Sequence, residues 1–247
     1  MKKYFLLLFV LVTVNQVMAQ QPKCSTHQYL NGLEISDPTL YQEIITVRDN
    51  LESFTQSFVG NSNFRATAND GCGSEYIIPI VFHILHENGP ANLSDDEIMV
   101  QLDRLNIDFN KQNSDTADVV SAFENIIGNP NIEFRLARLD PDGNPTTVIN
   151  RYETPLTNDP PAGFNNQWSS GRQWPRNRYL NVYIGRTVGT GTAGFTYLPS
   201  TVNNSPNTDA IYVRSASLGS DERTLTHEVG HWANLRHIWG DGRCKRD

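Results

Sequence analysis

Residues His227-Glu-Val-Gly-His231-Trp-Ala-Asn-Leu-Arg-His237 spell H-E-x-x-H-x-x-N-x-x-H. In a helix, positions i and i+4 share a face, with Cβ atoms roughly 5–6 Å apart, so His227 and His231 are spaced to grip one ion. Glu228 lies one step round the helix, near enough to hold a water on that ion without being a ligand. His237 constrains the fold further. A helix continued from His231 to His237 would turn by about 600°, leaving the third imidazole about 240° off the shared face. The helix must therefore stop and the chain bend back at a residue tolerant of positive φ. Asn234 stands at that point; glycine is the usual choice there and Asn the next best.

Three imidazoles with one open position describe a catalytic zinc site (metal: His227, His231, His237). Zinc lowers the pKa of water toward about 7, and Glu228 is placed to act as the catalytic general base, taking a proton and passing it to a leaving nitrogen. The expected reaction is hydrolysis of a peptide bond. Two rival readings stand beside it: a truncated, inactive zinc-binding secreted module, and a zinc hydrolase of a non-peptide amide. An open sheet edge beside a shallow cleft favours the peptidase, and a closed pocket the small-amide enzyme.

The wider stretch Arg223-Thr-Leu-Thr-His-Glu-Val-Gly-His-Trp232, followed by Leu235-Arg-His-Ile-Trp-Gly-Asp241, resembles the pappalysin family of metzincin proteases. Ile78-Pro-Ile-Val-Phe-His83, Asp140-Pro-Asp-Gly-Asn-Pro-Thr-Thr147 and Tyr179-Leu-Asn-Val-Tyr183 fit the same family, so the resemblance covers about residues 72–247. Asn234 departs from its commoner glycine, a swap the left-handed bend tolerates. The resemblance implies a metzincin-like α/β fold, one catalytic zinc, and calcium as a further ion. It also implies an edge strand near Phe195–Leu198 that pairs with extended substrate by β-augmentation. Metzincins carry a methionine-bearing turn after the zinc motif, whereas the methionines here are Met1, Met18 and Met99. The sequence is accordingly read as lacking that turn and the C-terminal subdomain that would wall the cleft.

Lys2-Lys3, the apolar run Phe5–Val14 and Val17-Met-Ala19 read as a signal peptide over 1–19, too short to span a membrane. The mature product is expected to be secreted or periplasmic. Loss of Lys2 and Lys3 takes the formal charge from −7 to −9. So acidic a chain, with no basic run, argues against nucleic acid as a partner and leaves a protein or peptide substrate.

Residues 20–71 read as a prosegment and 72–247 as the catalytic domain. Asp37-Pro38 is a helix start, and Leu40, Ile44, Val47, Leu51, Phe54 and Phe58 form one apolar stripe that needs a surface to pack on. Gly60–Gly73 is small and polar, as a linker is. Then follow a strand over Ile77–Leu85, and a helix opened by the capping box Ser94/Glu97 with the stripe Ile98, Leu102, Leu105 and Phe109. A strand over Asn131–Leu139 ends in a turn at Asp140–Pro145, and Glu153–Asn177 reads as a long loop. Strands over Tyr179–Ile184 and Asp209–Arg214 flank a glycine-rich loop, Gly189–Gly194. The zinc helix follows from about Asp221. This alternation predicts a twisted, mixed, mostly parallel sheet with helices packed on it.

His83 and His86 read as structural residues, Gly189-Thr-Gly191 as a plain turn, and the sequon at Asn92 as part of a helix start. The cysteines, Cys24, Cys72 and Cys244, are odd in number, so they cannot all pair within the chain. Cys24 lies in Lys23-Cys-Ser-Thr26, similar to a Cys-Gly-Thr stretch of bacterial pappalysin prosegments, with Ser25 for Gly. That resemblance implies a thiolate on the open zinc position that keeps the enzyme latent. A disulfide or an idle thiol are the alternatives. The family resemblance also implies that Cys244 is half of a disulfide whose partner lies beyond residue 247, so that it is expected to be unpaired here.

Overall fold

The computed structural model describes residues 23–59, 76–124, 127–158, 167–189, 191–202 and 206–237. The signal segment, the Gly60–Gly73 linker, Cys72 and Cys244 lie outside them. Among the described residues are seven strands: β1 (Lys23–Cys24), β2 (Tyr76–His86), β3 (Ile132–Leu136), β4 (Ile149–Glu153), β5 (Leu180–Gly185), β6 (Thr192–Thr196) and β7 (Ile211–Arg214). Its longer helices are α1 (Thr26–Ser36), α2 (Pro38–Val59), α3 (Asp95–Phe109) and α4 (Thr224–Trp232).

All seven strands form one sheet in the order β1-β6-β7-β5-β2-β3, with β4 also against β2. Every pairing is parallel except β6 on β7. β2 is long enough to hold β3 along its first half and β4 along its second, with Ile78 opposite Phe134 and Ile84 opposite Arg151. β4 falls where the sequence reads as unassigned chain and the start of a loop. Its residues Ile-Asn-Arg-Tyr-Glu have no apolar alternation, because this strand is nowhere fully buried and is held mainly by its ladder to β2.

Strand side chains alternate between two unlike layers. Ile80, Phe82, Ile84, Leu180, Val182, Ile184, Ile211 and Val213 face the helices, where Ile98, Leu102 and Leu105 of α3 and Leu225 and Val229 of α4 meet them. Each such side chain contributes roughly 1.5–3 kcal/mol on full burial. The α3 capping box forms as expected: the Glu97 backbone N–H donates to Ser94 Oγ at 3.3 Å, and the Ser94 N–H to Glu97 Oε2 at 2.7 Å.

The opposite layer is aromatic. Phe195, Tyr212, Tyr183 and His83, on β6, β7, β5 and β2, stack in succession with centroids 4.7, 5.5 and 4.5 Å apart. Trp168 closes this layer, its indole N–H donating to the Leu156 carbonyl at 2.9 Å. Gly185 makes room for it: a Cβ there would come within 2.3 Å of the indole. Gly185→Ala is expected to cost about 1–3 kcal/mol by overpacking. Trp168→Ala should cost about 3–5 kcal/mol by leaving a cavity. Because the added methyl enters the space the indole leaves, the double variant should cost less than the sum, measurable by urea unfolding; strict additivity would refute the contact.

The predicted prosegment helix is α2. The Leu40 N–H donates to its cap, Asp37 Oδ1, at 3.0 Å. Its stripe is only half used. Ile44 is buried with Leu30 of α1 and with Leu198, whereas Phe54 is 66% exposed.

Candidate metal centre

α4 carries the motif and is fastened at both ends. Thr226 Oγ1 donates to Asp108 Oδ2 on α3 at 2.7 Å, and Trp232 Nε1 to Asp209 Oδ1 at 3.1 Å. The helix stops where the spacing requires. Asn234 has φ 68°; its N–H reaches the His231 carbonyl at 2.9 Å, and the Leu235 N–H reaches the Gly230 carbonyl at 2.8 Å. That pair of bonds is a Schellman ending with Asn in the left-handed position. The turn also brings the Leu235 carbonyl to 2.7 Å from His231 Nδ1. A carbonyl only accepts, so His231 is protonated at Nδ1, and its Nε2 presents a lone pair.

Across the bend, His237 returns to the first two histidines. The Nε2 atoms of His227, His231 and His237 form a nearly equilateral triangle, 3.1, 3.1 and 3.2 Å on its sides. Ligand nitrogens 2.0–2.1 Å from a tetrahedral zinc lie about 3.3 Å apart, so the triangle fits that ion. Burial first, then neighbouring imidazoles, hold His227 and His231 below the ordinary histidine value, in the neutral form that ligates. Asn234→Gly should leave zinc affinity unchanged or slightly higher, whereas Asn234→Val should lower it by about 10-fold or more, since a β-branched residue resists positive φ. Equal affinity in a zinc titration of the Val variant would remove the bend from the account.

Glu228 lies beside the histidine triangle and against β6, 1% exposed, with its Oε2 4.0 Å from Cys24 Sγ. Burial pushes its carboxyl up to about 8, against the neighbouring Cys24 thiol; a cation on the histidines acts in the opposite sense. Its place depends on Gly194 of β6, where a Cβ would lie 2.9 Å from Glu228 Cγ. The sequence reads Gly194 as the end of a loop, whereas the strand runs Thr192–Thr196 through it. The reason is this close approach, which only a residue without a side chain permits.

A fourth atom of a type that can ligate zinc comes from β1. Cys24 Sγ and the three histidine nitrogens all lie within 4.8 Å of one another. Burial, then the charge of Glu228, push the thiol up to about 12, so a thiolate there depends on a compensating cation. Ser25 sits at φ −97°, a conformation that does not need glycine, and its hydroxyl lies 2.7 Å from Thr192 Oγ1. The edge of β6 is thus not open in this chain: β1 runs parallel to it, Lys23 opposite Thr192 and Cys24 opposite Gly194.

Sequence reasoning missed His27, whose Nδ1 lies 2.9 Å from His237 Nδ1; no local pattern marks it, because that partner is 210 residues away. His83 and His86 are structural, as read. His83 Nε2 is 3.0 Å from Asn181 Oδ1, and burial lowers its pKa to about 4. The Asn88 N–H donates to His86 Nδ1 at 3.1 Å. Among the described residues no second cluster of three or more metal-ligating side chains comes together, so calcium stays an expectation of the resemblance alone.

Comparison with known proteins agrees with this geometry. The family model described as pregnancy-associated plasma protein-A matches residues 164–247. Among curated relatives, an extracellular metalloprotease of Arthroderma gypseum is 24% identical over 196 residues, covering 75% of this chain and 57% of its own length. A second, from Arthroderma otae, is 35% identical over 80 residues, 28% of each. The chain thus spans little over half of one curated relative and much less of the other. A promirolysin mutant from Tannerella forsythia is 34% identical with TM-score 0.73, over 89% of this chain and 71% of that one. Mature mirolysin in complex with a cleaved peptide is 40% identical with TM-score 0.64, over 70% and 68%. With one in three residues shared across most of a solved proprotein, and the metal triangle on the same stretch as the family match, this chain belongs to the pregnancy-associated plasma protein-A (pappalysin) family of metzincin metalloproteases.

Proposed function

We propose that the protein is a secreted zinc endopeptidase held latent by its own N-terminal segment. One observation carries this: three histidine nitrogens converge to 3.1–3.2 Å beside a buried glutamate that is not among them. His227, His231 and His237 would hold zinc. Bound there, zinc supplies Lewis acidity, polarising a carbonyl and acidifying water. Glu228 takes the proton of the attacking water and delivers it to the amide nitrogen as the peptide bond breaks. β6, once β1 leaves, offers an edge of backbone N–H and C=O groups to an extended peptide, which favours a peptide substrate over a small amide.

The signal (1–19) rests on the N-terminal sequence pattern; the division between prosegment (20–71) and catalytic domain (72–247) is supported by how residues 23–59 lie on the domain. It is also supported by the broader match to a proprotein than to its mature form, 89% against 70% of this chain. Secretion is supported by the N-terminal pattern and by two relatives described as extracellular. No helix among the described residues is long and apolar enough to cross a membrane. The test is hydrolysis of an unfolded protein after prosegment removal. Cleavage should vanish on chelation and return with zinc; cleavage indifferent to chelators would exclude the reading.

A further inference from the structure

The prosegment reaches the metal centre at two points, and only one of them is a ligand. His237 Nδ1 faces His27 Nδ1 at 2.9 Å, with ring centroids 4.6 Å apart. Two imidazole nitrogens at that distance share one proton, and the surroundings decide who donates. His237 Nε2 points at the other two histidines, 3.1 and 3.2 Å away, so it must keep its lone pair if it is to ligate. The proton of His237 then sits on Nδ1 and is donated to His27. His231 is held the same way, through the Leu235 carbonyl at 2.7 Å. The two oriented ligands therefore differ in where the outer partner comes from. For His231 it is the bend of the catalytic domain; for His237 it is α1 of the prosegment.

We propose that His27 is a positioning residue of the latent form, a prosegment acceptor that fixes the tautomer and ring of His237. His27 is not itself a ligand: its Nδ1 lies on the far side of the His237 ring from the triangle. Ser25 and Thr26 anchor the turn that presents it. Ser25 Oγ meets Thr192 Oγ1, and Thr26 Oγ1 donates to the Thr196 carbonyl at 3.0 Å. Cys24 ends β1 and His27 lies in the first turn of α1, three residues on, so the two arrive together and leave together. Removal of the prosegment frees a metal position and also strips one ligand of its outer hydrogen bond. The latent protein therefore holds its metal more tightly than the thiol alone provides.

This rests on the zinc reading above, and its test separates the two. Zinc affinity of the full chain is measured by competition with a chromophoric chelator for wild type, His27→Leu and His27→Asn. Outer-shell partners of metal-bound histidines are worth about 10–100-fold in affinity, so His27→Leu should bind zinc weaker by that factor. His27→Asn, with an amide oxygen near the place of Nδ1, should recover most of it. The thiolate-to-metal absorption of the cobalt-loaded chain should persist in His27→Leu, since Cys24 is untouched. Melting of the metal-free chains should be alike, as an orienting role requires. Unchanged zinc affinity in His27→Leu beside tight wild-type binding overturns the proposal and leaves the zinc site standing. Equal weakening in Leu and Asn, with lower metal-free melting in both, overturns it in favour of packing. A wild-type chain that binds no zinc overturns both.

Discussion

Glu228→Gln is expected to retain zinc and lose peptide hydrolysis by at least ~10²-fold, because general-base assistance is typically worth 10²–10⁴-fold. The substitution is nearly isosteric, so the buried slot between α4 and β6 still fits, and Gly194 still clears the side chain. What changes is basicity: an amide oxygen accepts a hydrogen bond but cannot hold and pass on a proton. The histidine triangle lies on the neighbouring face of the helix and does not include Glu228. Zinc content by elemental analysis should therefore match wild type while kcat/KM on an unstructured protein falls. Loss of the metal in this variant would make Glu228 a ligand and reverse the assignment. Gly194→Ala offers a second approach to the same point. Its methyl would press on Glu228 Cγ and on the Tyr212 carbonyl, with contacts of 2.9 and 3.1 Å, so the base is displaced with every ligand intact.

The residues whose placement was legible in the sequence are those whose constraints are local. His227 and His231 declare a shared helix face by spacing alone, and His237 forces the bend that Asn234 makes at φ 68°. Ser94 and Glu97 announce α3, because a capping box is closed within four residues. Ile98, Leu102 and Leu105 follow by periodicity. What was not legible depends on partners far along the chain. β4 has a strand's backbone without a strand's pattern, since its ladder to β2 holds it more than buried side chains do. Gly194 looks like a loop residue until Glu228 is brought against it, 34 positions later. The stripe on α2 predicts burial along its whole length, whereas the surface it meets ends near Leu51 and leaves Phe54 exposed. His27 carries no local mark of its role: its partner is His237, 210 residues away.

Cys24→Ala is expected to open the metal site before any proteolysis. A tethered ligand acts at an effective concentration on the order of mM, so a thiolate that binds this zinc with roughly μM strength leaves only about one site in a thousand free. Alanine removes that competitor, and the ceiling on unmasking is therefore about 10³-fold. Substrate should gain less than this, because β1 still pairs with β6 at Lys23 and Cys24 through backbone bonds that the substitution does not touch. Two probes distinguish the blocks. A small hydroxamate needs only an open metal position and should bind Cys24→Ala in its uncleaved state with much of the full gain. An unfolded protein needs the β6 edge as well, and its cleavage should rise by about 10-fold or more and reach the full rate only after prosegment removal. The sulfur–metal absorption of the cobalt-loaded chain should vanish at the same time. Hydroxamate affinity equal in wild type and Cys24→Ala, with no such absorption in either, would return Cys24 to an idle thiol or a disulfide and leave the edge strand as the sole source of latency.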